Sequence, residues 1–222
     1  MSGPLPASRR RAGARQRGWF VVLEGLDGAG TTTQAHLLGK ALRAAGRQVH
    51  VTAEPSRGPV GALIRQVLGR RVRGPAGADF DPAALALLFA ADRLAHLAAE
   101  VAPNVRRGVD VVSDRFTLSS LAYQGLTTSD VRWVEAVNAR AAAPDLVVFL
   151  RVRAAVAFRR RRQASAEREI FEEAVFQRRV AQSYRRAIAR LRRAGQRIAE
   201  VDGEAPVAEV AAAVLAEVER LR

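Results

Sequence analysis

Residues 19–24 (WFVVLE) are apolar up to the final glutamate and run without a break into Gly25-Leu26-Asp27-Gly28-Ala29-Gly30-Thr31-Thr32-Thr33. A short apolar run of this kind, rich in Val and closed by Gly, reads as a strand buried on both faces. Past the glycines, Leu37, Leu38, Ala41 and Leu42 share one helical face, and Gly46 closes that helix. A buried strand that turns through glycines directly into a helix constrains everything downstream. Such a strand belongs inside a parallel sheet, and a parallel sheet needs crossover helices on its faces.

The rest of the chain supplies them. RQVHVT (47–52), VDVVSD (109–114), DLVVFLRV (145–152) and RIAEVD (197–202) read as four further strands. Helices are expected at 31–45, 58–68, 81–102, from about 118, 130–142, 154–162, about 170–194 and 206–221. A Gly/Pro/Arg loop separates the second from the third. Asp81-Pro82 offers an N-cap acid and a first-turn proline, and Pro103 is expected to stop that helix. Five strands alternating with helices predict an α/β fold, a doubly wound five-stranded parallel sheet with helices on both faces. Ligands on such sheets bind at the carboxyl ends of strands, which directs attention to Gly25, Thr52, Asp114, Val152 and Asp202.

The spacing G-x-x-x-x-G-x-[ST] between strand and helix is that of a phosphate-binding loop. Glycines let the backbone curl so that its N–H groups point inward, and the helix adds its positive end. Gly25 through Thr33 would cradle the phosphates of ATP, with the Thr32 hydroxyl on a bridging Mg²⁺. The position before Thr32, ordinarily lysine, is Thr31. Lys40, the one lysine of the chain, lies about 13 Å along the helix and cannot substitute. The competing reading is a glycine-rich turn that binds nothing.

Composition narrows the choices further. With no cysteine in 222 residues, disulfide scaffolds, thiolate catalysis and Cys-based zinc sites are excluded. No run of 18 apolar residues is present, so no membrane partner is expected, and the simplest location is the cytoplasm. The formal charge of +14 is concentrated: residues 1–18 carry +5 and residues 151–197 carry +11. Nearly all of it is Arg, as GC-rich codon usage would produce, and no aromatic interleaving accompanies it. Both facts speak against nucleic acid as a partner. His36, His50 and His96 lie apart, so no protein-only metal site is expected. Residues 1–18 read as a disordered Arg-rich tail and residues 19–222 as a single domain.

The combination of motifs is identified as that of a family. EGLDGAGTTTQ (24–34) resembles the opening of bacterial thymidylate kinases, apart from the lysine. Ala53-Glu54-Pro55 is similar to that family's arginine-glutamate-proline motif, with Ala in place of Arg. FAADR (89–93) and SDRFTLSSLAYQG (113–125) resemble its thymidine-binding segments, and PDLVVFLRV (144–152) its fourth strand, in a likeness covering about residues 19–205. The resemblance implies a P-loop nucleoside monophosphate kinase that phosphorylates dTMP with ATP and Mg²⁺ and acts as a homodimer through the helices at 81–102 and 130–142. Phe89 and Arg93, four apart on one helix face, would stack on a pyrimidine and donate to its carbonyl. The plainer alternative makes Phe89 core and pairs Arg93 with Asp92 or Asp79.

Asp114-Arg115 ends the third strand, where Arg115 can hold the acceptor phosphate and Asp114 can hold Mg²⁺ or fix the arginine. The resemblance gives Ser120 and Gln124 to the thymine, Tyr123 to the sugar 2′ position, Asp27 to the acceptor phosphate and metal, and Glu54 to the acceptor site. It also makes about 155–170 an Arg-rich lid, in which Arg159, Arg162 and Arg168 would cover for the absent lysine. The alternative function is a catalytically degenerate nucleotide-binding protein, motivated by Thr31 and Ala53. A nucleic-acid-binding protein driven by the tail and lid is weaker still.

Overall fold

The computed structural model describes residues 17–161 and 167–221, with the backbone alone described at 161 and 167–173. Five strands, β1 (Phe20–Gly25), β2 (Val49–Ala53), β3 (Asp110–Asp114), β4 (Leu146–Arg151) and β5 (Ile198–Asp202), form one sheet in the order β2-β3-β1-β4-β5. Every pairing is parallel. The strands fall within two residues of where the sequence puts them, and the central β1, β3 and β4 are short Val-rich runs that a doubly covered sheet buries almost completely. In β1, every residue is buried.

Helices α1 (Thr31–Ala44), α2 (Pro59–Leu68), α3 (Pro82–His96), α4 (Ala102–Arg106) and α5 (Thr117–Thr127) occupy the first part of the chain. They are followed by α6 (Val131–Asn138), α7 (Ala154–Arg161), α8 (Glu167–Arg193) and α9 (Val207–Glu219). α1 packs on β1–β3 and on α9, while α5 packs on β1, α6 and α8. Val22, Leu23, Val112, Val148 and Leu150 form the fully buried middle of the sheet. Truncating a leucine here to Ala costs about 2–5 kcal/mol.

Register fixes the site. Leu23 lies opposite Asp114 of β3 and Val148 of β4. The carboxyl ends of β1 and β3 therefore stop side by side, and Gly25 and Asp114 share one edge. β1 sits where the strand order turns back, the place at which an open α/β sheet leaves a crevice.

Two expectations are corrected. Pro103 does not end a helix: α3 passes through a π turn at Leu97–Val101 into α4, which contains the proline in its first turn. The Ala102 N–H reaches back five residues to the Leu97 carbonyl, and a first-turn proline needs no donor of its own. At the other end, Arg17 and Gly18, read as tail, are bound to the domain. Arg17 donates to Asp145, and the Gly18 N–H donates to Val105 O at 2.9 Å.

Candidate active site

The donor side is built from backbone. Gly28 and Gly30 have φ of 88° and 93°, a left-handed geometry that side chains resist, and this curl delivers the chain into α1. Gly30 is the N-cap and supplies no side-chain cap, so the first amides of α1 stay available to an anion. Thr31 is 5% exposed and its Cγ2 lies 3.2 Å from where a Cβ on Gly25 would stand, so its side chain packs beneath the loop. The residue that follows does the opposite. Thr32 is exposed, and its hydroxyl donates to Asp114 Oδ2.

Asp114 Oδ1 is buried with no partner among the described residues. A hydroxyl beside a carboxylate with an unused oxygen is a hard-oxygen donor set, and it suits a small divalent cation such as Mg²⁺. Among the described residues, no cluster of three His, Cys, Asp or Glu could hold a metal by itself. A cation here needs further oxygen ligands, which nucleotide phosphates and water provide.

The acceptor side is built from side chains. A cavity of ≈ 270 Å³ opens beside the loop, and it gathers Asp27, Glu54, Phe89, Arg93, Arg115, Ser120, Tyr123 and Gln124, every acceptor-side residue named from the sequence. Pro55, Leu68, Phe116 and Ser119 complete its walls.

Arg115 stands between the two sides. Its φ is 74°, a conformation that costs a non-glycine residue on the order of 1–2 kcal/mol. Nη1 donates to Gly25 O at 3.0 Å, Ser119 Oγ at 3.1 Å and Tyr184 Oη at 3.1 Å, and Nη2 donates to Asp27 at 2.6 Å. Burial opposes this charge. Tyr184, Tyr123, Asp27 and Glu24 more than offset it, and the guanidinium stays protonated above its usual range.

Glu24 ends the apolar part of β1 as a fully buried carboxylate. It accepts from the Phe116 N–H at 2.9 Å, the Ser119 N–H at 3.0 Å and the Ser119 hydroxyl at 2.6 Å, so it caps the start of α5 from the neighbouring strand. Burial pushes its pKa up to about 7, against the pull of Arg115 and those donors. Tyr123 lies 5.6 Å from the Arg115 guanidinium, and burial raises its phenol above the ordinary range.

Arg93 is 1% exposed, and its partners are not those the plainer reading offered. Nη2 donates to Glu54 Oε2 at 2.7 Å and Ser120 Oγ at 3.1 Å, Nη1 donates to Asn138 Oδ1, and the guanidinium lies 5.1 Å from the Phe116 ring. Nε has no partner among the described residues. Asp92, the alternative partner, accepts instead from the Ser56 N–H at 2.7 Å and hydroxyl at 2.6 Å. Glu54 is braced from behind by His96, whose Nδ1 lies 3.2 Å from Oε1 and whose Nε2 lies 2.8 Å from Thr52 Oγ1.

The lid arginines divide. Arg159 is exposed on α7, Arg162 lies outside the described residues, and so does the side chain of Arg168. The lid arginine that lines a cavity with Gly28, Ala29 and Gly30 is Arg160, which donates to Gly203 O at 2.8 Å. Sequence reasoning passed over it. It also passed over Glu24, His96, Asn138 and Tyr184. A carboxylate closing a buried strand and a tyrosine in the apolar stripe of an arginine-rich helix were the available signals.

The family model for thymidylate kinase matches residues 23–214. A protein of Pyrobaculum calidifontis named probable thymidylate kinase is 37% identical over 201 residues, spanning 90% of this chain and 96% of that one. Proteins of the same name from Thermococcus gammatolerans and Pyrobaculum aerophilum are 41% and 39% identical. The first alignment spans 75% of this chain and 81% of its relative, the second 74% and 80%. With a family model matching residues 23–214 and relatives this similar over 80–96% of their length, the chain belongs to the thymidylate kinase family.

Proposed function

We propose that this protein transfers the γ-phosphoryl group of ATP to dTMP. An oxygen of the acceptor phosphate attacks the γ-phosphorus in line, the bond to the ADP oxygen breaks, and ADP leaves with that electron pair. No covalent enzyme intermediate is involved. The observation that carries the reading is Arg115: a strained, half-buried cation held by four partners at the boundary between the phosphate loop and the acceptor cavity.

In this reading the amides of residues 25–33 hold the donor phosphates, Thr32 and Asp114 hold Mg²⁺, and Arg115 with Asp27 holds the acceptor phosphate. Mg²⁺, when bound, neutralises charge on the phosphate oxygens. Phe89, Arg93, Ser120 and Gln124 recognise thymine, with Glu54 orienting Arg93, and Tyr123 excludes a 2′-hydroxyl. Phosphoryl transfer depends on positioning and on positive groups around the spreading charge. Thr31 takes the place of the usual loop lysine, and Arg160 of α7 supplies the missing charge, with Arg159 beside it.

The catalytic unit is one domain that takes in Arg17 and Gly18 at its start, with the rest of the Arg-rich tail before them, acting in the cytoplasm without a nucleic-acid or membrane partner. Among the described residues, no helix is long and apolar enough to cross a membrane. The outward face of α3 carries Leu87 at 49% and Leu94 at 38% exposure, and supports a homodimer through α3 and α6. The catalytically degenerate binder is not favoured, because an acceptor network this complete is what loss of activity would erode.

The test is ADP release from ATP–Mg²⁺ with dTMP, dUMP, dCMP, dGMP or no acceptor. Turnover of about 1–100 s⁻¹ with dTMP and little with the others is expected. Measurable dTMP binding without acceptor-dependent ADP would sink the enzyme and leave the binder.

A further inference from the structure

We infer that Tyr184 is a positioning residue for Arg115, setting the plane of its guanidinium from helix α8. The inference rests on the reading of Arg115 as the arginine of the acceptor phosphate. Tyr184 is fully buried, and its hydroxyl lies 3.1 Å from Arg115 Nη1, 2.9 Å from Ser119 Oγ and 3.2 Å from Glu24 Oε2.

Proton counting gives these contacts a direction. Arginine only donates, so Tyr184 must accept from it and spend its own hydrogen elsewhere. Ser119 already donates to Glu24 at 2.6 Å. The Tyr184 hydrogen therefore goes to the Glu24 carboxylate or to the lone pairs of Ser119. The result is a closed circuit in which a buried carboxylate polarises a phenol that receives the guanidinium. Burial keeps that phenol un-ionised, well above its usual range, so it remains both donor and acceptor.

Three acceptors then converge on one nitrogen of Arg115, Nη1: a backbone carbonyl from the loop, a hydroxyl from α5 and a hydroxyl from α8. With Nη1 so engaged, Nη2 is the end that meets Asp27 and the cavity wall. The backbone at φ 74° does not choose this orientation by itself. Nη1 has two hydrogens to share among these three acceptors, and the α8 hydroxyl is the one that comes from neither β1 nor α5. Losing it widens the range over which the fork can tilt from a bidentate approach to phosphate.

The ring is held separately from the hydroxyl. It packs edge-on against Tyr123 at 6.0 Å and lies 5.1 Å from Phe149. Tyr184→Phe therefore removes the circuit and keeps the packing. The expected result is a fall of about 10–30-fold in kcat with dTMP. KM for ATP and the Tm stay near wild type. Incorporation of 4-aminophenylalanine at position 184, which restores an atom able to accept and donate, recovers most of the loss. Wild-type kcat in the Phe protein would overturn the inference. So would a large drop in Tm that 4-aminophenylalanine does not repair, since the hydroxyl would then serve folding alone.

Calorimetry of dTMP binding keeps this separate from the proposed reaction. If the wild-type protein binds dTMP without turning it over, the kinase reading fails, and weaker dTMP binding in the Phe protein still supports the role of Tyr184. Equal binding by the two proteins would remove it.

Discussion

In the proposed function, the donor and acceptor halves of this crevice hold the same kind of group, a phosphate, by opposite means. On the donor half, glycines at φ 88° and 93° and an uncapped helix start present backbone amides, and the side chain of Thr31 is tucked out of the way. On the acceptor half, the backbone recedes. Arg115 and Arg93 are gripped by side chains drawn from the loops after β1 and β2, α5, α6 and α8, with a single backbone carbonyl, Gly25 O, added at the end of β1. A backbone cradle needs no desolvated charge and recognises a chemical group shared by every nucleotide. A buried network costs desolvation at each ion, and in return fixes donors at defined points, as discrimination between bases requires.

The largest break in that comparison is Arg115→Ala. With no other described cation on the acceptor phosphate side as closely held, kcat/KM for dTMP should fall by about 10³-fold or more in the ADP-release assay. Affinity for ATP alone, measured by titration, should change little. A loss below tenfold would mean that the acceptor phosphate is held elsewhere.

Next comes Arg93→Ala. It leaves Glu54, 6% exposed, without its main cation, and breaking a buried pair in this way costs about 3–5 kcal/mol. Urea unfolding measures it, and the same protein should lose its preference for dTMP over dCMP. Stability within 1 kcal/mol of wild type would show that His96 alone carries Glu54.

The asymmetry also explains what could be read in advance. The donor half is contiguous: nine residues after one strand carry it, so spacing alone located it. The five strands were legible for a similar reason, since each is a short β-branched run between turn signals, and the central three are buried almost throughout. The acceptor half was legible only as far as helix geometry reaches. Phe89 with Arg93 and Ser120 with Gln124 share faces at four-residue spacing. Their partners do not, because Asn138 lies 45 positions from Arg93 and Tyr184 lies 160 from Glu24. No local pattern encodes such pairings, and tertiary packing alone decides them. The same holds for Arg160. Consecutive arginines point around all sides of a helix, and which one meets the loop depends on how α7 docks.

A smaller effect sharpens the donor half. If Arg160 supplies the charge that Thr31 lacks, Arg160→Ala should lower kcat about tenfold. Adding Thr31→Lys should return part of that loss, so that the two changes are not additive. Strict additivity of the two effects on kcat would separate Arg160 from the loop.

The smallest effect is a slope in pH, and it comes from a fully buried carboxylate. Glu24 has an ordinary pKa of 4.5 and a folded value of about 7, raised chiefly by burial. Between these values the folded protein binds more protons than the unfolded chain, so stability must fall as pH rises through the window. The contribution of protonated Glu24 is complete below pH 4.5 and gone once pH passes about 7. One proton gives a slope of at most about 1.4 kcal/mol per pH unit. Activity should run the other way. Ionised Glu24 is the form that accepts from Phe116, Ser119 and Tyr184 at once, and so the form that holds Arg115 in place. Thermal unfolding against pH, for wild type and Glu24→Gln, separates the two: the variant should lose the slope near pH 4.5–7 and keep a fixed, lower kcat. An unchanged slope in Glu24→Gln would assign the titration to another group and leave Glu24 as a cap for α5 alone.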